Sequence, residues 1–170
     1  KMSADKGNIE AMHCYGSMLE QGDGIPVNKK SAAKYFKISA DKGNPQSMFI
    51  YANMLYNGEG TVPNKKEAAK YYKMSADNEN SEAMLKYAAM RQEGDGITVN
   101  KEEAANYYRM ASFQNNPEAM CNYGVMLMEG DGIKKNEEEA RKYIIRSAKL
   151  KNPKGIKAYK MYFGKRCKTL

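Results

Sequence analysis

Apolar residues recur along the chain at the three-to-four residue spacing of an α-helix, in two segments that return together every 36 residues. Within residues 47–76 the first segment carries Met48, Tyr51 and Leu55, and the second carries Ala68 and Tyr72. Polar residues fill most of the positions between them. Each segment therefore predicts an amphipathic helix, and we name the two helices of each repeat helix A and helix B.

The ends of both helices carry clear signals. An asparagine that can accept a hydrogen bond from the first-turn amides precedes each helix, and a proline at the next position or a glutamate three residues on strengthens several of these starts. Helix A is predicted to end at a glycine, with a second glycine two residues later that allows the turn toward helix B. The predicted starts are Asn8, Asn44, Asn80, Asn116 and Asn152 for helix A and Asn28, Asn64, Asn100 and Asn136 for helix B; Glu67, Glu103 and Glu139 predict capping boxes, and Gly22, Gly58, Gly94 and Gly130 predict the ends of helix A.

A fixed period of this length is typical of a solenoid, in which each repeat stacks on its neighbours to bury its apolar face. Four complete repeats are predicted at 4–39, 40–75, 76–111 and 112–147. Residues 1–3 are predicted to end a preceding repeat, and residues 148–170 to form a partial repeat with a basic cap. Because residues 1–5 match residues 73–77 at the end of a repeat, we expect the sequence to be a fragment of a longer protein.

Two further features repeat with the same period. Small residues stand where the helices are expected to touch, at Gly16, Ala52, Ala88 and Gly124 on helix A and at Ala32, Ala68, Ala104 and Ala140 on helix B. A tyrosine precedes each small residue of helix A, at Tyr15, Tyr51, Tyr87 and Tyr123, and returns at Tyr159. We predict that these tyrosines pack in the core with the hydroxyl at its edge.

The net charge of +8 arises entirely from the last 23 residues of the chain. Residues 148–170 contain eight basic residues and no acidic ones, and the rest of the chain carries 20 of each. The repeats themselves therefore do not indicate nucleic-acid binding. A basic patch is predicted at Lys151, Lys154, Lys157, Lys160, Lys165 and Arg166. It is interpreted first as a polar cap on the last helix, and binding of an acidic partner, an anionic membrane or nucleic acid stays open as the alternative.

Little in the sequence indicates chemistry. The cysteines Cys14, Cys121 and Cys167 do not recur with the period, which fits a reducing compartment, and we expect a cytoplasmic location. No apolar run is long enough for a membrane helix, and no signal-peptide pattern is present. His13 is the only histidine and has no partner at a catalytic spacing. No catalytic residue, metal site or cofactor is therefore predicted.

The recurring positions resemble those of the Sel1-like repeat, a relative of the tetratricopeptide repeat with a longer loop between its helices. The resemblance covers essentially the whole chain and is carried in the first repeat by Ala11, Tyr15, Gly16, Leu19, Gly22, Gly24, Ile25, Ala32, Tyr35, Phe36, Ser39, Ala40, Gly43 and Asn44. It implies an all-α, right-handed superhelical solenoid whose concave surface is lined by helix A. It also implies a role in holding proteins together, and the chain lacks the paired cysteines of the cysteine-rich bacterial members.

Positions that vary between repeats on the exposed side of helix A are where specificity for a partner is expected. If helix A follows the register of the tetratricopeptide relative, the helix-A groove contains His13, Ser17, Phe49, Asn53, Tyr56, Asn57, Leu85, Gln92, Cys121, Val125 and Met128, with Glu20, Gln21, Ala89, Glu93 and Glu129 beside them. The apolar members predict anchors for an extended peptide or a helix, and the amides predict hydrogen bonds to it. The alternative, that these side chains only pack between neighbouring helices, stays open.

The sequence thus predicts a non-catalytic protein–protein interaction module, an adaptor or scaffold that presents the helix-A groove to a protein or peptide. No small-molecule substrate is evident. The alternative is a regulatory or assembly segment of a larger enzyme whose catalytic domain precedes Lys1. The oligomeric state is left open.

Overall fold

The computed structural model describes residues 8–164, which form nine α-helices joined by short loops and contain no β-strand. The predicted helices A are α1 (Ile9–Gln21), α3 (Pro45–Asn57), α5 (Ser81–Glu93), α7 (Pro117–Glu129) and α9 (Pro153–Phe163). The predicted helices B are α2 (Lys29–Asp41), α4 (Lys65–Asp77), α6 (Lys101–Phe113) and α8 (Glu137–Lys149). The all-α fold class is as predicted, while the segment 1–3 and Lys165 and Arg166 of the basic patch lie outside the described residues.

The predicted asparagine caps are confirmed. Asn8 Oδ1 accepts a hydrogen bond from the backbone amide of Ala11 at 2.8 Å, and Asn64 Oδ1 accepts one from Glu67 at 3.0 Å. The same bond to the third helical residue is made at Asn28, Asn44, Asn80, Asn100, Asn116, Asn136 and Asn152. Because this bond satisfies an amide without a partner in the helix, both helix starts of each repeat follow from local sequence.

The capping boxes differ in one bond from the prediction. The backbone amide of Asn64 donates to the carbonyl oxygen of Leu55 at 2.8 Å, so it is already bonded. Glu67 Oε2 accepts instead from the side-chain amide of Asn64 at 3.3 Å, and Glu139 accepts from Asn136 in the same way at 3.1 Å. The start of helix B is therefore bonded back to helix A of the same repeat.

The two loop glycines have different roles. Gly58 ends helix A with a φ of +75°, and Gly22, Gly94 and Gly130 do so with φ values from +74° to +79°, as predicted. At Gly60 the second glycine is needed for close approach as well as for its positive φ, because a Cβ there would lie 2.2 Å from the carbonyl oxygen of Lys29. Lys29 Nζ also lies 2.6 Å from Glu59 Oε2. The loop of one repeat thus packs on the start of helix B in the preceding repeat.

Four of the recurring tyrosines of helix A pack against helix B, as predicted. Tyr15 meets Tyr35 edge to face with their ring centroids 4.9 Å apart. Equivalent pairs at 4.9–5.0 Å join helix A to helix B of the same repeat at Tyr51–Tyr71, Tyr87–Tyr107 and Tyr123–Tyr143. This geometry favours the interaction between the edge of one ring and the face of the other.

The small residues allow the helices of a repeat to approach closely, as predicted. A Cβ on Gly16 would lie 3.0 Å from the Phe36 ring, and one on Gly124 would lie 2.8 Å from Ile144 Cγ1. Ala32 and Ala140 on the facing helices are fully buried. A larger residue at these points would force the two helices apart or strain their side chains.

The chain divides into two compact units. The first runs to Ala83 and also includes Asp95–Ile97, and within it α1 packs on α2, α2 on α3 and α3 on α4. The second contains Met84–Gly94 and continues from Thr98. Within the second unit α6 packs on α7 and α7 on α8, and α9 covers both α7 and α8.

Candidate partner-binding surface

In the first compact unit the predicted groove residues of α3 are tied into internal contacts. The Tyr72 hydroxyl donates to Asn53 Oδ1 at 2.7 Å, and the Phe49 ring lies 6.0 Å from the Tyr72 ring. The Tyr56 hydroxyl donates to Asp95 Oδ2 at 2.5 Å. Phe49, Asn53 and Tyr56 are all half-buried. Each of these three side chains is therefore partly exposed to a partner and partly held by contacts inside the protein.

His13 ends a chain of hydrogen bonds at the start of the first unit. Ser39 Oγ donates to the carbonyl oxygen of Ile9 at 3.1 Å, Ser47 Oγ donates to Ser39 Oγ at 2.9 Å, and His13 Nδ1 lies 2.9 Å from Ser47 Oγ. Each serine has one proton to donate and both protons are used, so the proton between His13 and Ser47 comes from Nδ1. Because Ser39 and Ser47 are fully buried, this network holds helices together and offers no accessible nucleophile.

The remaining predicted residues of the first unit are Ser17 and Asn57. Ser17 Oγ donates to the carbonyl oxygen of His13 at 3.2 Å, and the exposed Asn57 amide donates to Glu59 Oε1 at 3.4 Å. Burial raises the pKa of the nearby Glu20 carboxyl, and the negative charge of Glu59 raises it further. The ends of α1 and α3 therefore carry polar side chains and an acid that ionises less readily than usual.

The second compact unit contains a cleft of about 270 Å³ over α5 and α7, which we name the α5–α7 cleft. The buried Tyr108 of α6 lies at its base, and its hydroxyl donates to Gln92 Oε1 at 3.1 Å. Burial raises the pKa of Tyr108 well above its ordinary value, and the nearby side-chain amide of Asn122 opposes this rise. The phenol is therefore protonated at neutral pH and donates to Gln92 of α5, with the side-chain amide of Asn122 on α7 nearby.

Hydrogen-bonding capacity remains on both amides. Gln92 uses its carbonyl oxygen for Tyr108 and retains two N–H donors, and the half-buried side chain of Asn122 carries a carbonyl acceptor. The α5–α7 cleft thus combines donors on one helix with an acceptor on the next.

Charged side chains border the α5–α7 cleft. Lys154 Nζ on α9 lies 2.6 Å from Glu118 Oε1 on α7. Lys86 and Glu93 of α5 also line the cleft and are exposed. The row of amides therefore lies between groups of both signs, next to the apolar side chain of Ala89.

Two residues predicted for the helix-A groove are largely buried. Leu85 is only 7% exposed but still lines the α5–α7 cleft. Cys121 is 3% exposed and is a packing residue instead, in an apolar cluster formed by α7, α8 and α9. Val125 and Met128 are half-buried and pack against the same cluster. Burial also raises the pKa of the Cys121 thiol. The prediction overestimated how much of α7 is exposed, because α9 covers part of that helix.

The α5–α7 cleft includes residues that the sequence did not indicate. Asn122 occupies a helix-A position that varies between repeats, so the same comparison of repeats would have found it had that position been included: Cys14, Ile50, Lys86, Asn122 and Ala158. Tyr108 carries no such signal, because its hydroxyl has a role in the cleft only where α5 brings Gln92 to it. Glu118 and Lys154 are likewise identified by a contact between α7 and α9.

The lysines of the basic patch do not all lie on one side of α9. Lys151, Lys154, Lys157 and Lys160 are exposed, but Lys151 precedes α9 and has a φ of +59°. The three lysines on α9 are spaced by three residues and therefore spread over about 120° of the helix surface. Lys154 lies at the α5–α7 cleft, where it pairs with Glu118. Whether these lysines cap the chain or bind a partner stays a prediction.

Among the described residues there is neither a cluster of metal ligands nor a membrane-spanning helix. Between residues 8 and 164 no group of three or more His, Cys, Asp or Glu side chains is placed to hold a metal ion. No helix in this part of the chain is long and apolar enough to cross a membrane. Cys14 is exposed and Cys121 is buried, and both are free thiols.

A family model described as "Sel1 repeat" matches residues 9–44, 45–80, 81–116 and 117–152. Each match spans the predicted period of 36 residues, in a frame that begins five residues later than the one used above. Sel1 repeat proteins are generally protein–protein interaction modules, and the family is typically non-catalytic. No curated protein shows significant similarity to the chain.

Solved structures support the same family. A Sel1 repeat protein from Oxalobacter formigenes is 26% identical over 87% of this chain and 61% of its own, with a TM-score of 0.83. The protein c5321, a protective antigen of uropathogenic Escherichia coli with an SLR fold, is 22% identical over 96% of this chain and 35% of its own, with a TM-score of 0.89. Helicobacter pylori cysteine rich protein B is 18% identical over 76% of this chain and 96% of its own, with a TM-score of 0.60.

The last two likenesses show the fold alone, and the chain spans less than two thirds of the length of the first two proteins. The family model, in contrast, matches most of this chain in four consecutive windows. The chain therefore belongs to the Sel1 repeat family, a tetratricopeptide-like class of all-α helical-repeat solenoids.

Proposed function

We propose that this chain is an adaptor or scaffold module that binds an extended peptide segment of a partner protein in the α5–α7 cleft. The observation that carries the proposal is the pair of amides that line the cleft, Gln92 bonded to the Tyr108 hydroxyl and Asn122 near the same hydroxyl. A peptide unit has one N–H donor and one carbonyl acceptor. The free acceptor of Asn122 and the free donors of Gln92 are the complement of such a unit.

The size and border of the α5–α7 cleft support a peptide more than a small molecule. Its volume of about 270 Å³ is below the roughly 300–1,000 Å³ typical of small-molecule sites. The ion pair of Lys154 with Glu118, together with Lys86 and Glu93, supplies charges on both sides for the flanking side chains of a peptide. Recognition by backbone-directed hydrogen bonds with specificity at the border is a common mode of peptide binding.

A cytoplasmic location and a function without cofactors are also proposed. The free thiols of Cys14 and Cys121 support a reducing compartment. None of the three similar structures is named as an enzyme, so they give no support to the alternative of a regulatory segment of an enzyme.

A peptide selected from a random displayed library against the full chain would test the α5–α7 cleft. We expect Asn122→Ala and Gln92→Ala each to weaken the affinity for the selected peptide by about five- to tenfold, the effect of one net hydrogen bond of roughly 1 kcal/mol. Fluorescence polarisation measures the affinity, and circular dichroism shows whether each variant is folded.

Asn106→Ala is the matched control, because Asn106 is an exposed asparagine on α6 that does not line the cleft. It is expected to leave the affinity unchanged. Equal losses in Asn106→Ala and Asn122→Ala, or no loss in either cleft variant, would contradict the proposed site.

A further inference from the structure

In the first compact unit the Asp41 carboxylate of α2 lies between α2 and α4, at a place that we name the α2–α4 groove. Asp41 accepts a hydrogen bond from the Tyr71 hydroxyl at 2.6 Å and one from Lys37 Nζ at 2.6 Å. Burial opposes ionisation of Asp41, but the bonds from Lys37 and Tyr71 and the charge of Lys70 outweigh it and lower the pKa of the carboxyl. The α2–α4 groove thus binds an ionised carboxylate between two cations and a phenol.

The outer groove between α6 and α8 in the second compact unit keeps these partners without the carboxylate. Two periods, or 72 residues, after Lys37, Lys70 and Tyr71 the sequence has Arg109, Lys142 and Tyr143. The residue 72 positions after Asp41 is Phe113, whose exposure is 68%. An acid has therefore been replaced by an apolar ring while two cations and a phenol are retained.

The replacement leaves an open space. A cavity of about 520 Å³ is lined by Phe113, Lys142, Tyr143 and Arg146. Asp41 bonds the Tyr71 hydroxyl in the first unit, whereas the Tyr143 hydroxyl has no hydrogen-bond partner within the described residues. We name this cavity with its lining the α6–α8 groove.

Two cations, Lys142 and Arg146, line the α6–α8 groove, and Arg109 is a third on α6 outside the lining. Lys142 pairs with Glu138 at 2.8 Å, but the two side chains are 72% and 83% exposed, and exposed pairs are weak. Arg146 bonds the neutral side chain of Asn115 at 2.5 Å and keeps its charge unpaired there. Arg109 is exposed and lies close to Tyr123, whose ring packs 5.0 Å from that of Tyr143.

Glu138 and Glu139 also line the α6–α8 groove and oppose an anion. Glu139 accepts a hydrogen bond from Asn136 at 3.1 Å, which holds it at the start of α8. Its equivalent in the first unit, 72 residues earlier, is Glu67, and Asp41 is ionised there in spite of it. An acid at this position is therefore compatible with a bound carboxylate.

We propose that the α6–α8 groove binds an acidic peptide segment, whose carboxylate takes the place that Asp41 holds in the first unit and whose apolar neighbour packs on Phe113. The same combination of a carboxylate with cations and a phenol is present in the first unit, where Asp41 supplies the carboxylate. This surface lies on helices B and is separate from the α5–α7 cleft.

Two blocked dipeptides that differ by one group test the proposal: N-acetyl-aspartyl-leucine amide and N-acetyl-asparaginyl-leucine amide. Each is titrated into the full chain, labelled with ¹⁵N, and the amide signals are followed by NMR. The acidic dipeptide is expected to shift the signals of Phe113, Lys142 and Tyr143 and to bind at least about fivefold more tightly than its amide counterpart. Equal binding of the two dipeptides, or shifts confined to other parts of the chain, would overturn the proposal.

Variants of the groove sharpen the test. Phe113→Asp restores the internal carboxylate, so it is expected to weaken binding of the acidic dipeptide at least about tenfold and to raise the melting temperature. Met110→Asp is the matched control, because it adds the same charge at another exposed position of α6 outside the cavity. It is expected to change the affinity less than about twofold.

Tyr143→Phe provides a second variant that removes only the hydroxyl. It is expected to weaken binding of the acidic dipeptide by about three- to tenfold, the effect of one net hydrogen bond. Asn122→Ala is expected to leave this binding unchanged, which separates the two surfaces. Undiminished binding in Phe113→Asp and Tyr143→Phe, or an equal loss in Met110→Asp, would show that the carboxylate does not bind in the groove.

Discussion

Gly24 and Gly60 occupy the same position in successive loops and share a φ of +69°, but their surroundings differ. A Cβ on Gly24 would meet nothing within 4 Å, whereas one on Gly60 would lie 2.2 Å from the carbonyl oxygen of Lys29. One residue type in one backbone conformation therefore has two roles. Only the second role depends on how the repeats stack.

We predict that Gly60→Ala lowers the free energy of unfolding more than Gly24→Ala. Both variants lose about 1–2 kcal/mol because alanine is strained at positive φ, and Gly60→Ala loses roughly 1–3 kcal/mol more from the clash with Lys29. Urea denaturation of the two variants measures the difference. Equal losses would mean that this loop does not pack closely on α2.

Glu20 makes the stability of the chain depend on pH. Burial, and then the charge of Glu59, raises the pKa of its carboxyl above the ordinary value of 4.5. An acid with a raised pKa binds its proton more tightly in the folded chain. Its stabilising contribution is therefore present below pH 4.5 and is lost as the pH rises through the folded value.

Glu20→Gln is therefore predicted to raise the melting temperature at pH 7 by up to about 2 °C, consistent with a change below roughly 1 kcal/mol in a chain of this length. At pH 3, where the glutamic acid is also neutral, the two proteins are expected to melt together. Thermal unfolding at both pH values provides the measurement. A gain of equal size at pH 3 would assign the effect to something other than ionisation.

At the scale of helices, local sequence predicted the ends and the packing decided the free surface. The asparagine caps and glycine ends are correct because their hydrogen bonds involve residues within one turn. The capping box at Asn64 differs because Leu55, in the preceding helix, takes the backbone amide. Cys121 was assigned to a groove that α9 covers.

Labelling with a thiol reagent tests the cover of α9 over α7. In a Cys167→Ser background, we predict that Cys121 reacts at least about 100-fold more slowly than Cys14, because the buried thiol reacts only when α7 and α9 separate. Variants with serine at Cys14 or Cys121 assign the two rates. Similar rates would mean that Cys121 is exposed on helix A and that α9 does not cover it.

At the scale of the whole molecule, the chain combines electrically balanced repeats with a basic end. The basic residues in excess all lie in 148–170, so binding to polyanions is expected to depend on that segment. As exposed charges are largely screened beyond about 8 Å at 0.15 M salt, this binding is expected to be weak in physiological buffer.

We predict that the chain elutes from heparin at about 0.15 M NaCl or below, as expected of a polar cap. The double variant Lys157→Gln with Lys160→Gln is expected to elute earlier. The control, Lys30→Gln with Lys34→Gln, removes two exposed lysines from α2 and is expected to elute with the parent chain. Tight retention that the first pair abolishes would favour a binding role for the basic patch.

The sequence by itself determined the period, the two helices of each repeat with their ends, the all-α fold class and the family. These features are encoded locally, in caps, glycines and apolar spacing that recur every 36 residues. Tertiary structure alone decided which side chains are available to a partner. Tyr108 bonds Gln92 in the cleft that Asn122 also lines, and Phe113 replaces an acid beside Tyr143, because packing brings these groups together. Burial depends on what covers a residue, and no local pattern in the chain records that.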